Sequence, residues 1–141
     1  MRAVQIALVL VVAAALVTSA SAGEREQCSN ATLHGSYGLR APGNTTSGGA
    51  QIVLGRFHFD GRGNLTAKLF TRTPTGANVA DTFTGTYSVD SDCIVTDYWK
   101  SDTTGTVTTH ISVLVNNGRG YYVLNTTEGA PVIISGEARK Q

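Results

Sequence analysis

The sequence contains few of the residues that usually carry chemistry. Its 141 residues include two cysteines, one tryptophan, one methionine and three histidines, and only 15% of them are charged. It contains no Gly-x-Ser-x-Gly, Ser-x-x-Lys or His-Glu-x-x-His motif. The common serine-hydrolase and zinc-protease arrangements are therefore excluded, and we predict no catalytic residue set and no cofactor.

The chain also lacks an excess of charge of either sign. Eleven Lys and Arg face ten Asp and Glu, and no run of basic residues occurs. Removal of Arg2 with an N-terminal leader would leave ten against ten, a formal charge of zero. The linear sequence thus gives no electrostatic signature for nucleic acid or an anionic membrane, and nucleic acid is not an expected partner.

The only long hydrophobic run lies at the N terminus. Arg2 precedes an apolar stretch at 6–17, and the small residues Ala-Ser-Ala follow at 20–22. This pattern is typical of a signal peptide, whereas the run is short for a membrane span. We predict a signal peptide at 1–22 and a single exported domain at 23–141, periplasmic or extracellular, with no membrane insertion after cleavage.

Cys28 and Cys93 are the only cysteines. An even number of cysteines in an exported chain favours a disulfide over a reactive thiol. We predict a Cys28–Cys93 bond.

Strand-forming residues and turn residues dominate the rest of the chain. Thr, Gly, Val and Tyr are common, apolar and polar residues alternate, and short segments such as "DGRGN" and "NNGRG" separate the alternating runs. The predicted strands cover 34–40, 50–59, 65–72, 79–89, 94–100, 106–115, 121–125 and 132–139. Eight sequential strands without a helix predict an all-β, antiparallel up-and-down barrel, with a β-sandwich as the alternative.

The alternation also predicts which side chains face inward. Phe57 and Phe59 share one face of the second strand, and Phe83 and Tyr87 share one face of the fourth. We expect these four rings to meet in one core. In the sixth strand the apolar face is formed by Val107, Ile111, Val113 and Val115, so that face is predicted to point inward and His110 outward.

One segment, "APGNTTSGGA" at 41–50, is long, polar and rich in glycine. We interpret it as a mobile loop at one mouth of the barrel, where a ligand would enter.

The stretch "CIVTDYWK" allows two orientations. Asp97 and Trp99 share a face with Cys93 and Val95. If that face points inward, a carboxyl group lies beside an indole in an apolar lumen and its pKa rises. The opposite phase places Asp97 in water, and it is favoured because buried acids are rare without a partner.

No metal site is predicted. His34, His58 and His110 are not spaced as joint ligands, and a surface position is the simpler interpretation for each. Aspartates at 60, 90 and 92 stand in turn sequences and lack the spacing of a calcium loop.

Four segments carry a resemblance to known proteins: "CSNATLHGSYG", "GRFHFDGRGNLT", "TFTGTYSVDSDC" and "SGEARKQ". They resemble a group of small exported bacterial β proteins without an assigned function. The resemblance implies a lipocalin-like or allene-oxide-cyclase-like small barrel by analogy of fold. Tyr37 of Gly35-Ser36-Tyr37 stands where a lipocalin opening has tryptophan. The group supplies no catalytic residue.

Three functions remain open from the sequence. The first is binding of a small apolar ligand in the lumen or at its mouth, with Tyr37, Tyr87, Asp97 and Trp99 as candidate binding residues. The second is a structural or interaction role in the cell envelope or outside the cell. The third is a cofactor-free isomerase or cyclase that acts through Tyr37, Tyr87 or Asp97. The sequence leaves the oligomeric state open.

Overall fold

A computed structural model describes residues 27–141. A short 3-10 helix at Asn30–Thr32 precedes eight strands. The strands are β1 (His34–Thr45), β2 (Ala50–Asp60), β3 (Asn64–Arg72), β4 (Asn78–Val89), β5 (Ile94–Ser101), β6 (Val107–Val115), β7 (Gly120–Asn125) and β8 (Val132–Lys140). Alternating, Thr-rich runs between Gly- and Asp-containing turns thus form strands, as predicted.

Each strand pairs antiparallel with the next, and β1 pairs with β8 to close the sheet. The predicted up-and-down barrel is therefore confirmed, and the sandwich alternative is excluded. Closure gives both β1 and β8 a neighbour on each side, so neither strand leaves an exposed edge. The predicted signal peptide at 1–22 lies outside the described residues.

Aromatic side chains fill one half of the barrel. Phe57, Phe59 and Tyr87 are buried and lie beside Tyr37 and Tyr121. Phe59 contacts both Tyr37 and Tyr87 edge to face, with ring centroids 5.5 and 5.1 Å apart. The predicted inner faces of β2 and β4 are confirmed, and this aromatic core closes the lumen at its lower half.

The N-terminal segment seals the same end of the barrel. The predicted Cys28–Cys93 disulfide is present and joins this segment to the turn between β4 and β5. Leu33 is almost fully buried beneath it. Asn30 Oδ1 accepts a hydrogen bond of 2.8 Å from the Val89 amide. We call this end, where residues 28–33 lie across the barrel, the closed end.

The predicted orientation of β6 is wrong. His110 and Ser112 point inward and are buried, whereas Ile111 and Val113 are 44% and 42% exposed on the outer surface. The inner face is polar because His110 finds a buried partner in the barrel, so burial there does not leave its ring nitrogens unpaired. Alternation correctly identified a strand, but apolar content alone chose the wrong face.

The predicted long loop at 41–50 is also largely strand. Residues 41–45 belong to β1 and Ala50 begins β2, which leaves a tight turn at 46–49. The Thr45 amide donates to the Gly49 carbonyl oxygen at 2.8 Å, and Thr45 Oγ1 accepts from the Gly49 amide at 2.9 Å. Pairing with Ile133 and Ile134 on β8 extends β1 beyond its polar sequence.

Within residues 27–141, no helix is long and apolar enough to cross a membrane.

Candidate ligand cavity

The upper half of the barrel, opposite the closed end, contains a cavity of about 170 Å³. It lies toward the turns that follow β1, β3, β5 and β7, and so at the end that includes the 46–49 turn. Apolar side chains form most of its wall: Leu39, Ala41, Val53, Leu69, Phe83, Trp99, Val123, Val132 and Ile134. Its polar lining residues are Gln51, Thr71, Thr108, His110 and Asn125.

Three of the four candidate binding residues do not line this cavity, and two of these, Tyr37 and Tyr87, lie at the closed end. Tyr37 donates its hydroxyl hydrogen to the Gly118 carbonyl oxygen, and Tyr87 donates to the Leu33 carbonyl oxygen at 2.7 Å. These two hydrogen bonds hold the closed end together, and neither hydroxyl group lines the cavity. Burial raises the pKa of both phenols.

Trp99, by contrast, forms part of the cavity wall. Its indole stacks on the His110 imidazole with ring centroids 3.6 Å apart and an angle of 27° between the rings. On the other side it contacts Phe57, at 4.6 Å between centroids. Trp99 therefore separates the aromatic core from the cavity and holds the His110 ring in place.

Asp97 points inward, so the preference for an outward orientation is wrong. It is only 9% exposed, and its Oδ1 lies 2.8 Å from His110 Nδ1. Asp97 and His110 are direct cross-strand partners on β5 and β6. Burial of this acid is possible because the Asp97 carboxyl oxygen accepts a hydrogen bond from His110 inside the barrel. The sequence did not reveal this partner.

Asn125 on β7 contacts the second ring nitrogen of His110. Asn125 Oδ1 accepts from the Thr127 amide at 3.0 Å, so its Nδ2 must face His110 Nε2, 3.2 Å away. A donor at that position requires Nε2 to accept. In this arrangement the Nδ1–H of His110 donates to Asp97, and Nε2 accepts from Asn125.

Burial has the largest effect on the pKa of Asp97 and raises it. The hydrogen bond from His110 and its electrostatic interaction act in the opposite direction, as does the nearby Trp99 N–H. Burial also raises the pKa of Tyr121 well above its ordinary value, and the Asp97 charge adds to this effect. Tyr121 thus stays protonated beside the Asp97–His110 pair.

Several buried polar atoms around this pair have no hydrogen-bond partner of normal geometry. They are Trp99 Nε1, Thr108 Oγ1, Ser112 Oγ and Tyr121 OH. Trp99 and Thr108, which are cross-strand partners, also line the cavity. The buried polar atoms that lack a hydrogen-bond partner thus lie on β5, β6 and β7.

The described residues contain no group of three or more His, Cys, Asp or Glu side chains that could hold a metal ion. His34 and His58 are exposed, and His110 alone departs from the predicted surface position.

Asp60 Oδ1 accepts from the Arg62 and Asn64 amides at 2.7 and 2.9 Å. The hydrogen bond from the Asn64 side chain has the largest effect and, together with these two bonds, lowers the pKa of Asp60 to about 2. Its carboxylate orders a turn.

Sequence reasoning missed His110, Asn125 and Thr108. A usable signal was present, because Asp97 and His110 lie at nearly equal distances from the turn between β5 and β6. In a hairpin, residues placed symmetrically about the turn face each other. A polar residue at each of those positions is what a buried pair requires.

Comparison with known proteins identifies the fold. No protein-family model and no curated protein matches the chain. A solved structure described as a de novo designed transmembrane β-barrel aligns with a TM-score of 0.63 at 11% identity, over 77% of this chain and 97% of that one. A redesigned β-barrel bound to DFHBI aligns with a TM-score of 0.58 at 15% identity, over 79% and 97%.

A de novo designed fluorescence-activating β-barrel aligns with a TM-score of 0.54 at 16% identity, over 78% of this chain and 94% of that one. At these identities the likeness concerns the barrel architecture alone. The comparison therefore supports the barrel architecture of this chain, and the designed proteins align with 77–79% of its length.

Proposed function

We propose that the protein binds one small, neutral and mainly apolar molecule in the cavity opposite its closed end. The observation that carries this proposal is the cavity itself, which is lined mostly by apolar side chains with a few polar groups on one wall. Small-molecule sites commonly have this composition, and the mouth of a small barrel is a common location.

The size of the cavity indicates the class of ligand. An apolar cavity of roughly 150 Å³ accommodates benzene. The cavity of about 170 Å³ therefore suits a single ring with one small substituent. The redesigned barrel bound to DFHBI offers a parallel for a small ligand bound by this architecture.

The lining favours a neutral ligand. It contains no Lys or Arg side chain, so a carboxylate or phosphate would lose its hydration without a compensating charge. Thr108 Oγ1 and Trp99 Nε1 have no hydrogen-bond partner in the protein and would be available to one polar substituent of the ligand. Of the four residues predicted from the sequence, Trp99 would contact the ligand, and Asp97 would act by orienting His110.

Toluene is a suitable probe, and Trp99 is the only tryptophan of the chain. Titration should change its emission saturably, with one toluene bound per chain. Thr71→Phe places a ring in the cavity and should weaken binding at least about tenfold, or roughly 1.4 kcal/mol.

Thr66→Phe, on the outer face of the same strand, is the matched control and should leave the affinity unchanged. Benzoate should bind more weakly than toluene. Absence of saturable binding by toluene, or equal affinity in the Thr71→Phe and Thr66→Phe variants, would refute a ligand site in this cavity.

A further inference from the structure

The outer surface of β1, β2 and β3 collects positive charge that is dispersed in the sequence. Arg40, Arg56, Lys68 and Arg72 all point outward and are exposed. Arg56 pairs directly with Lys68 across β2 and β3, and Arg40 pairs with Leu54. We call these four residues, together with Leu54 and Phe70, the basic face.

No Lys or Arg of the basic face forms a salt bridge within residues 27–141. The one Lys or Arg found there in a salt bridge is Arg139, which lies 3.6 Å from Glu137. Arg56 donates to Ser36 Oγ at 3.0 Å and Arg72 to Asn78 Oδ1 at 3.2 Å, and both acceptors are neutral.

The Arg56–Lys68 pair is unfavourable in the protein alone. Like charges directly opposite each other on neighbouring strands destabilise a sheet. Two acids lie near the basic face: Glu137 on β8 is opposite Arg40 and forms a salt bridge with Arg139, and Asp102 lines a surface groove with Arg56 and Lys68 without forming a salt bridge to either. An external anionic surface would add the direct ion pairs that Arg56 and Lys68 lack.

Exposed apolar side chains lie among these cations. Leu54 and Phe70 are cross-strand partners and are 48% and 52% exposed. The Lys68 ammonium group lies 5.6 Å from the centre of the Phe70 ring. An aliphatic and an aromatic group surrounded by cations suit the boundary between lipid headgroups and acyl chains, where both kinds of contact form at once.

We infer that the basic face binds the surface of a bilayer that contains anionic lipids. The cations would contact the headgroups, while Leu54 and Phe70 enter the interface and the barrel stays outside the hydrocarbon layer. The apolar pair favours a lipid surface over a nucleic acid. The linear sequence gave no sign of this face, because strand pairing brings together cations that are up to thirty-two positions apart, from Arg40 to Arg72.

Vesicle sedimentation tests the assignment. The protein purified after expression of the full sequence is mixed with vesicles. These consist of phosphatidylcholine alone or of phosphatidylcholine with one quarter phosphatidylglycerol. Each Lys or Arg near an anionic surface contributes roughly a fivefold factor to partitioning. Arg56→Gln combined with Lys68→Gln should therefore weaken binding to the anionic vesicles about 25-fold.

The matched control is Lys100→Gln combined with Arg119→Gln, which removes the same charge from exposed sites outside the basic face. It should change partitioning less than about threefold, since screening limits the effect of distant charges. Every variant keeps the same N terminus, so any contribution of that segment cancels.

Phe70→Ser separates a lipid surface from another polyanion. It preserves every charge of the basic face and should still weaken vesicle binding at least about threefold, through lost apolar burial. Equal partitioning into the two kinds of vesicle, or equal effects of the two double variants, would overturn the inference. A third result would also overturn it: the protein binds single-stranded DNA through Arg56 and Lys68, and Phe70→Ser leaves vesicle binding unchanged.

Discussion

Asp97 shows how one buried acid is accommodated in an otherwise mostly apolar interior. Its oxygen accepts from His110, and His110 in turn accepts from Asn125, whose own oxygen binds the Thr127 amide. Each member thereby fixes the orientation of the next. Partly satisfied networks are costly in a low-dielectric interior, so the unpartnered hydroxyl of Tyr121 beside this chain marks where the network is incomplete.

The raised pKa of Asp97 predicts a specific dependence of stability on pH. The folded protein binds a proton at Asp97 more readily than the unfolded chain does. The stabilisation of the fold that comes from this proton binding is therefore fully present below the unfolded pKa of Asp97, about 3.9. It is lost as pH rises through the folded pKa. Asp97→Asn cannot ionise, so its stability relative to the natural protein should increase between about pH 4 and about pH 6.

Urea unfolding at both pH values measures this difference. Asp97→Ala serves as the control, because it leaves the His110 Nδ1–H without an acceptor and should be about 1–3 kcal/mol less stable than Asp97→Asn. A constant difference between the natural protein and Asp97→Asn at all pH values would mean that folding leaves the proton affinity of Asp97 unchanged.

At the scale of single elements, β4 and β5 approach each other closely at Gly85. A Cβ atom at this inward-facing position would lie 2.0 Å from the Tyr98 carbonyl oxygen and 3.1 Å from the Trp99 Cα. Glycines of this kind let the strands of a small barrel bend and pack. Gly85 thereby helps to bring Trp99 to its place between the aromatic core and the cavity.

We therefore expect Gly85→Ala to destabilise the barrel by at least about 2 kcal/mol, although alanine is ordinarily the better strand residue. The measurement is the free energy of unfolding in urea. Thr86→Ala, on the outer face of the same strand, should cost under about 1 kcal/mol. A Gly85→Ala protein that is as stable as the Thr86→Ala protein would show that the two strands can separate at little cost.

The elements also show what a sequence pattern can and cannot predict. The alternation of Phe57 and Phe59 with polar neighbours gave both the strand and its orientation, because both large rings of β2 lie on the same face and Arg56 and His58 lie on the other. In β6 the polar His110 and Ser112 face inward, and the apolar Ile111 and Val113 face outward. Period two then still predicts a strand, but the inward face depends on a partner in β5 that no local pattern contains.

Over the whole molecule, strand number and order follow from the sequence because every connection is a short hairpin turn between neighbouring strands. The division of the lumen into an aromatic lower half and a cavity does not. It depends on the positions at which large rings such as Phe59 and Tyr121 meet across the barrel, contacts that arise only after closure. The cavity and the basic face are both consequences of register, which local alternation does not contain.

The disulfide offers a test of this two-part organisation. Cys28 and Cys93 are separated by 65 positions, and a bridge of that span stabilises by about 4 kcal/mol in the chain-entropy model. Cys28→Ala combined with Cys93→Ala should lower the free energy of unfolding by about 2–4 kcal/mol. The loss falls on the closed end, where Leu33 and Asn30 lie over the aromatic core.

The cavity at the opposite end should be unaffected by loss of the bridge. Its walls are strands paired on both sides, and Trp99, with the aromatic core below it, separates them from the Cys28–Leu33 region. Toluene affinity per folded molecule should therefore stay within about twofold in the double cysteine variant. At 1.4 kcal/mol per tenfold change, this is a difference of at most about 0.4 kcal/mol in binding free energy. If the bridge-free protein remains folded by circular dichroism but binds toluene tenfold more weakly than the natural protein, the closed end controls the shape of the cavity and the two halves act as one unit.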